Sequence, residues 1–205
     1  ITIPTSGNAT DFGNATTTAG GRHTAASRTR SIAAGGGTPT RINTIEFSTF
    51  STTGNGQDFG DLTVVGAGGA QMGMSNQTRG VFGGRTSPSN VNTIDYITIA
   101  QTGNAIDFGD QGNTEGGMNC FSSPTRGVIA GGESPSPLNN GVNTIQFVTI
   151  ASTGNTTDFG DLFQPQSRGD GASSQIRGVI YAGKRHPSSY SNTIDCVFLP
   201  FATFN

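Results

Sequence analysis

Four near-copies of one nine-residue phrase decide what this chain can fold into. They read SGNATDFGN at 6–14, TGNGQDFGD at 53–61, TGNAIDFGD at 102–110 and TGNTTDFGD at 153–161. Their first glycines, Gly7, Gly54, Gly103 and Gly154, stand 47, 49 and 51 residues apart. Two further phrases keep that period. An arginine leads into an apolar, glycine-closed run in RSIAAGGG (30–37), RGVFGG (79–84), RGVIAGG (126–132) and RGVIYAG (177–183). NTIEFSTF (43–50), NTIDYITI (92–99), NTIQFVTI (143–150) and NTIDCVFL (192–199) follow. Three phrases recurring in one order mark a repeat architecture, in which each unit buries its faces by stacking on its neighbours.

Each phrase reads as a strand or a turn. NTIDYITI sets Ile94, Tyr96 and Thr98 on one face against Asp95, Ile97 and Ile99 on the other, and it is rich in β-branched and aromatic residues. RGVFGG is a short apolar run ended by glycines, as expected of a strand buried on both faces. T-G-N is a turn, because Gly and Asn tolerate positive φ. DFGD is a short strand with Phe108 pointing inward and Asp107 and Asp110 at the rim. No segment of useful length carries a 3.6-residue apolar period, so helix is not expected.

Four strands in about 49 residues make the blade of a β-propeller. The expectation is an all-β, four-bladed propeller forming one domain over 1–205, with blades at 14–62, 63–111, 112–162, and 163–199 plus 1–13. The Gly-rich strand belongs at the axis, where only small side chains fit. The phenylalanines of the repeated phrase, Phe12, Phe59, Phe108 and Phe159, belong in the wider gaps further out. Such packing explains how a chain with only 32% hydrophobic residues and 32 glycines can be ordered.

The order of strands resembles a kelch repeat. Gly83-Gly84 and Gly131-Gly132 match that family's glycine pair, and Phe47, Tyr96 and Phe147 match its tyrosine. Phe59, Phe108 and Phe159 stand where the family has tryptophan, and the chain departs again at Cys196 and in having four repeats. The wording "NTIDYITIA-TGNA-DFGD-L" resembles repetitive structural and tail-associated proteins of marine bacteriophages, especially those of cyanobacteria. That resemblance implies a virion or other extracellular location and a structural or adhesive, non-enzymatic module. Other structural subunits, or a cell-surface glycan or receptor, would be its partners. A lectin-like propeller with equivalent pockets between blades, and a self-assembling filament subunit, are the alternative readings.

The last repeat ends in PFATFN without its own TGN..DFG phrase, whereas the chain opens with one. The N-terminal segment is therefore expected to supply the outer strand of the last blade and remove an open edge. Ile1-Thr2-Ile3 duplicates Val197-Phe198-Leu199, so the chain is expected to be processed or cut from a longer array, or to use those residues as an arm to a neighbouring subunit.

Candidate chemistry yields to architecture at most positions. Asp107-Phe108-Gly109 spells the kinase metal-binding tripeptide, but the lysine-bearing phosphate loop and the H-R-D loop are missing. The pairs Asp58/Asp61, Asp107/Asp110 and Asp158/Asp161 suit Ca²⁺ with backbone carbonyls; Asn14 breaks the pattern, and solvated turn carboxylates are favoured, with no cofactor expected. Arg168-Gly169-Asp170 spells an integrin-binding tripeptide at a place where other repeats enter the inner strand. Arg30, Arg79, Arg126 and Arg177 recur at one blade position, and are expected to pair with carboxylates or cap carbonyls between blades; an anion-binding ring is the sharper alternative. His23 and His186 occupy different repeat positions and build no triad. Cys120 and Cys196 fit no metal spacing, and the N-x-T sequons at Asn8, Asn14, Asn76 and Asn155 are compositional.

Recognition is expected where the repeats differ. The loops after the glycine pair read GTPTRI, RTSPSNV, ESPSPLNNGV and KRHPSSYS. Arg85, Glu133, Lys184, Arg185, His186 and Tyr190 are the binding candidates there. A net charge of −2 supplies no basic footprint for nucleic acid. No apolar run approaches the roughly 20 residues of a membrane helix, so no membrane insertion is expected.

Overall fold

The structure is a computed structural model that describes residues 7–37, 39–86, 90–134, 140–185 and 189–199, with side chains at 67–71, 85–86, 140, 182 and 185 outside the description. The described chain is all β, and its sixteen strands form four antiparallel sheets arranged as the blades of a four-bladed β-propeller.

The first blade runs β1 (His23–Ala26), β2 (Arg30–Ala34), β3 (Thr44–Thr49) and β4 (Gln57–Asp61), each paired with the next. The second repeats this order with β5 (Ala67–Ser75), β6 (Arg79–Thr86), β7 (Thr93–Thr98) and β8 (Ile106–Asp110). The third has β9 (Asn119–Ser122), β10 (Arg126–Ser134), β11 (Asn140–Thr149) and β12 (Thr157–Asp161). In the fourth, the inner strand is broken into β13 (Gln166–Ser167) and β14 (Asp170–Ser173), both on β15 (Arg177–Arg185), which pairs in turn with β16 (Ser189–Phe198). The break falls at Arg168, whose φ of +56° a β ladder does not accommodate.

The inner strands are glycine-rich because backbones meet there. A Cβ on Gly73 of β5 would lie 1.8 Å from the Thr24 carbonyl oxygen of β1. β1 packs on β5, β5 on β9 and β9 on β14. Apolar side chains form three buried clusters between successive blades. Ile32, Ile45 and Phe59 meet Phe82, Ile97 and Ile99 between the first two. Met74, Ile94 and Phe108 meet Ile129, Val148 and Ile150 in the next joint. Phe121, Val128 and Ile145 meet Ile180, Val197 and Leu199 in the third.

The seam between the fourth blade and the first differs. Among the described residues no such cluster fills it, and β14 and β1 make no contact comparable to the other inner pairs. Among the described residues, the expected outer strand is not seen beside β16: residues 7–13 form no ladder with it, and it pairs with β15. Residues 1–6, with the Ile1-Thr2-Ile3 arm, lie outside the described residues. The segment that is described sits on the first blade: Gly54 N donates to Phe12 O and Gly56 N to Asn14 O, each at 2.8 Å.

Candidate functional site

The repeated phrase is a clasp between blades. Each TGN turn holds the DFG strand of the blade before it. Gly103 N donates to Phe59 O and Gly154 N to Phe108 O, both at 2.7 Å. The turn asparagine adds a second bond: Asn104 Oδ1 accepts from Asp61 N and Asn155 Oδ1 from Asp110 N, each at 3.0 Å. The glycine of DFG lets the backbones approach. Gly60 has φ +146°, and a Cβ there would lie 2.4 Å from Gly103 O. The phrase therefore supplies both halves of a clasp, the held DFG strand and the holding TGN turn.

Around each clasp the side chains are also committed. Phe47 and Phe59, Tyr96 and Phe108, and Phe147 and Phe159 meet edge to face with centroids 5.9–6.0 Å apart. Arg30, Arg79 and Arg126 lie over Phe47, Tyr96 and Phe147 at 4.3–4.7 Å from the ring centroids. Arg30 Nη1 donates to Ile99 O (2.9 Å) and Arg79 Nη1 to Ile150 O (3.1 Å), so the expected carbonyl caps cross to the next blade. The stacks replace both the carboxylate partners and the anion ring as the place of these arginines. In the fourth blade Cys196 stands where the ring should be, and Arg177 stacks instead on Phe198, 4.9 Å away. Phe59 and Phe108 are buried as expected and Phe159 is half-buried, but Phe12 is 40% exposed.

The position after N-T-I was missed from sequence. Glu46, Asp95, Gln146 and Asp195 face a blade surface that a neighbour or the chain leading into the same blade covers. Glu46 accepts from Thr16 and Arg22, and Asp95 from Thr63 N (3.0 Å) and Thr63 Oγ1 (2.6 Å). Gln146 Oε1 accepts from Gly112 N (3.0 Å), while Asp195 takes Gln166 Nε2 (3.2 Å). Each pins its own blade's start to its third strand. The only signal was the repetition itself of a polar side chain in a β-forming phrase.

The loop-face candidates fare differently. Glu133 is buried rather than presented to solvent. Its carboxylate takes a bidentate bond from Arg168 (2.9 and 3.0 Å), one from Ser167 Oγ (3.0 Å), and has Lys184 Nζ at 3.8 Å. Burial pushes this carboxyl up, yet those hydrogen bonds and the Arg168 and Lys184 charges outweigh it and hold it below its ordinary value. It thus ties the third blade to the fourth, and the arginine of the R-G-D tripeptide is its partner. Lys184 lies opposite Tyr190 across the β15–β16 hairpin, and Tyr190 is 87% exposed. Arg85 and Arg185 are placed by backbone alone, opposite Gly68 and Ser189, and His186 lies outside the described residues.

Depressions lie at the opposite end, beside the repeated turns. One of about 340 Å³ is lined from all four blades, by Ala26, Ser75–Gln77, Ser122–Pro124 and Ser173–Gln175. Two smaller ones occupy equivalent places at TGN turns. Tyr96, Phe59, Gln101 and Asn104 line one of about 220 Å³, and Phe147, Thr149, Ser152 and Asn155 one of about 130 Å³. No family model and no curated protein matches the chain.

Two described groups titrate far from their ordinary values. Burial pushes the Glu115 carboxyl up to about 7 against a bond from Asn113. Burial pushes the Cys120 thiol up to about 11, with Gly73 O accepting its proton at 3.5 Å. A thiol so held is protonated at neutral pH and a poor nucleophile. Among the described residues no three acidic, histidine or cysteine side chains gather as a metal site.

Proposed function

We propose that the chain is a non-enzymatic structural or adhesive module: a rigid, kelch-like propeller on a phage virion or another extracellular assembly, presenting its variable loops to a partner. The observation that carries this reading is the engagement of the repeated arginine, asparagine, phenylalanine and acidic positions in the joints between blades. Repetition is thereby spent on rigidity, and the freedom to differ is left to loops 37–42, 85–91, 133–142 and 184–191. Variable loops on a rigid scaffold are the usual place of recognition. The resemblance of its repeated wording to structural and tail-associated proteins of marine phages favours the virion. The fluorescently labelled chain should bind intact cyanobacterial cells, and exchanging His186–Tyr190 for five glycine and serine residues, which keeps Lys184 against Glu133, should abolish binding without lowering Tm. Undiminished binding by the exchanged chain would contradict this.

A lectin-like module is the second reading, favoured by the equivalent depressions at the TGN turns. An aromatic wall beside hydroxyl and amide groups suits a sugar ring and its hydroxyls. On a glycan array, binding that survives the loop exchange and is lost in Tyr96→Ala would support it over the first.

A further inference from the structure

We propose that the free edge of the fourth blade is an interface for a second copy of this chain, whose N-terminal phrase supplies the missing fourth strand. The argument rests on the two sets of bonds that the DFG strands of the first and second blades make. One is a ladder with the third strand of its own blade: Thr44 opposite Asp61, Ile45 opposite Gly60, Phe47 opposite Gln57. The other is the clasp from the next blade's TGN turn. The N-terminal copy makes only the second, to Gly54 and Gly56, with Asn14 N donating to Asn55 Oδ1 at 3.0 Å. Among the described residues β16 has the complementary lack, a third strand with no fourth beside it.

The internal register, carried over by repeat position, sets Thr193 opposite Asn14, Ile194 opposite Gly13 and Cys196 opposite Thr10. It also brings Gly7 to Gly160, as Gly154 meets Gly109 within the chain. Both ends of that contact are open: a Cβ on Gly7 or on Gly160 would meet nothing within 4 Å, whereas one on Gly109 would lie 2.5 Å from the Gly154 carbonyl.

The side chains agree. Ile194 and Phe198 are 60% and 68% exposed on the fourth blade, while Ile45, Ile94 and Ile145, at the position of Ile194, are buried. On the first blade Phe50 is 52% exposed, while Ile99, Ile150 and Leu199 at its position are buried. These are the two halves of the joint already formed three times, and among the described residues of one chain they do not meet. A second copy, added tail to head, covers both. Such a joint joins unlike surfaces, so it closes into a cyclic pair or extends as a fibre.

Directly opposed strand residues are close enough for a disulfide, and Cys196 is exposed. The full chain carrying Thr10→Cys, with Cys120→Ser to remove the buried thiol, should on mild oxidation form a disulfide between residues 10 and 196 of different chains. A band at twice 21.0 kDa or more on a non-reducing gel reads it. The same disulfide within a 21.0 kDa monomer would overturn the proposal in favour of ring closure by the chain's own N-terminus. Failure to form it would overturn the interface altogether. Light scattering gives an independent check: native chain at multiples of 21.0 kDa and Ile194→Asp at 21.0 kDa, both folded. A native monomer at its highest soluble concentration would also sink the idea.

Discussion

The second and fourth blades are written in the same phrases and end in opposite states. Ile94 of the second is fully buried beside Phe108, and Tyr96 is clamped between that ring and Arg79. Ile194 of the fourth faces solvent, Cys196 replaces the ring, and Arg177 is left exposed on Phe198. The hydrophobic pattern is the same in both. What differs is the neighbour, so a blade's third strand is sealed by the next unit's turn and fourth strand rather than by its own composition.

The largest effect that sharpens this contrast is expected at the phenylalanines. Phe108→Ala removes a buried ring and should cost about 3–5 kcal/mol, whereas Phe12→Ala, at the same repeat position but half-exposed, should cost about 1 kcal/mol or less. Urea denaturation of the two variants measures it, and equal losses would break the comparison. Next come the glycines. Gly109 and Gly160 have similar φ, +144° and +138°, so strain from an added Cβ is common to both. Only Gly109 is clasped, and Gly109→Ala should be the more costly by about 1–3 kcal/mol, the range for overpacking. Arginine stacking should show a smaller gap. Arg79→Gln loses a desolvated ring contact and a carbonyl cap, about 2 kcal/mol, against roughly 0.5–1 kcal/mol for the exposed Arg177→Gln.

A pH effect separates the third blade from the fourth at one position. Glu115 of the third corresponds to Gln166 of the fourth, and both are buried. Because burial raises the Glu115 carboxyl to about 7 from an ordinary 4.5, the folded chain holds its proton longer than the unfolded one. Stability should therefore fall as pH rises from about 4.5 to about 7. Glu115→Gln copies the choice of the fourth blade and should flatten that slope in thermal melts.

Repetition made the architecture legible. Three phrases at a constant period fixed strand count, strand order and the glycine-rich axis, because in a stacked array each phrase must do the same job every time. Much of the candidate site was not legible. Period-two alternation sorts Asp95 onto a face with Ile97 but does not say what covers that face; its partner Thr63 lies 32 residues earlier. Glu133 sits in a loop variable enough to suggest recognition, yet Arg168, 35 residues on, claims it. The depressions border the TGN turns, which repetition assigns to structure, and turns at 75–77, 122–124 and 173–175 that none of the three repeated phrases includes. Ring closure by residues 1–13 followed from counting phrases, and counting does not distinguish a partner in the same chain from one in another.

Hydrogen exchange on the native chain across a dilution series bears on the sealed and open joints together. Amides of β3, β7 and β11 should stay protected at every concentration. Those of β16 that point away from β15 should exchange rapidly at the lowest concentration and gain protection as it rises. If they are as protected as β7 in the dilute monomer, the seam is closed within one chain and the contrast between the second and fourth blades fails.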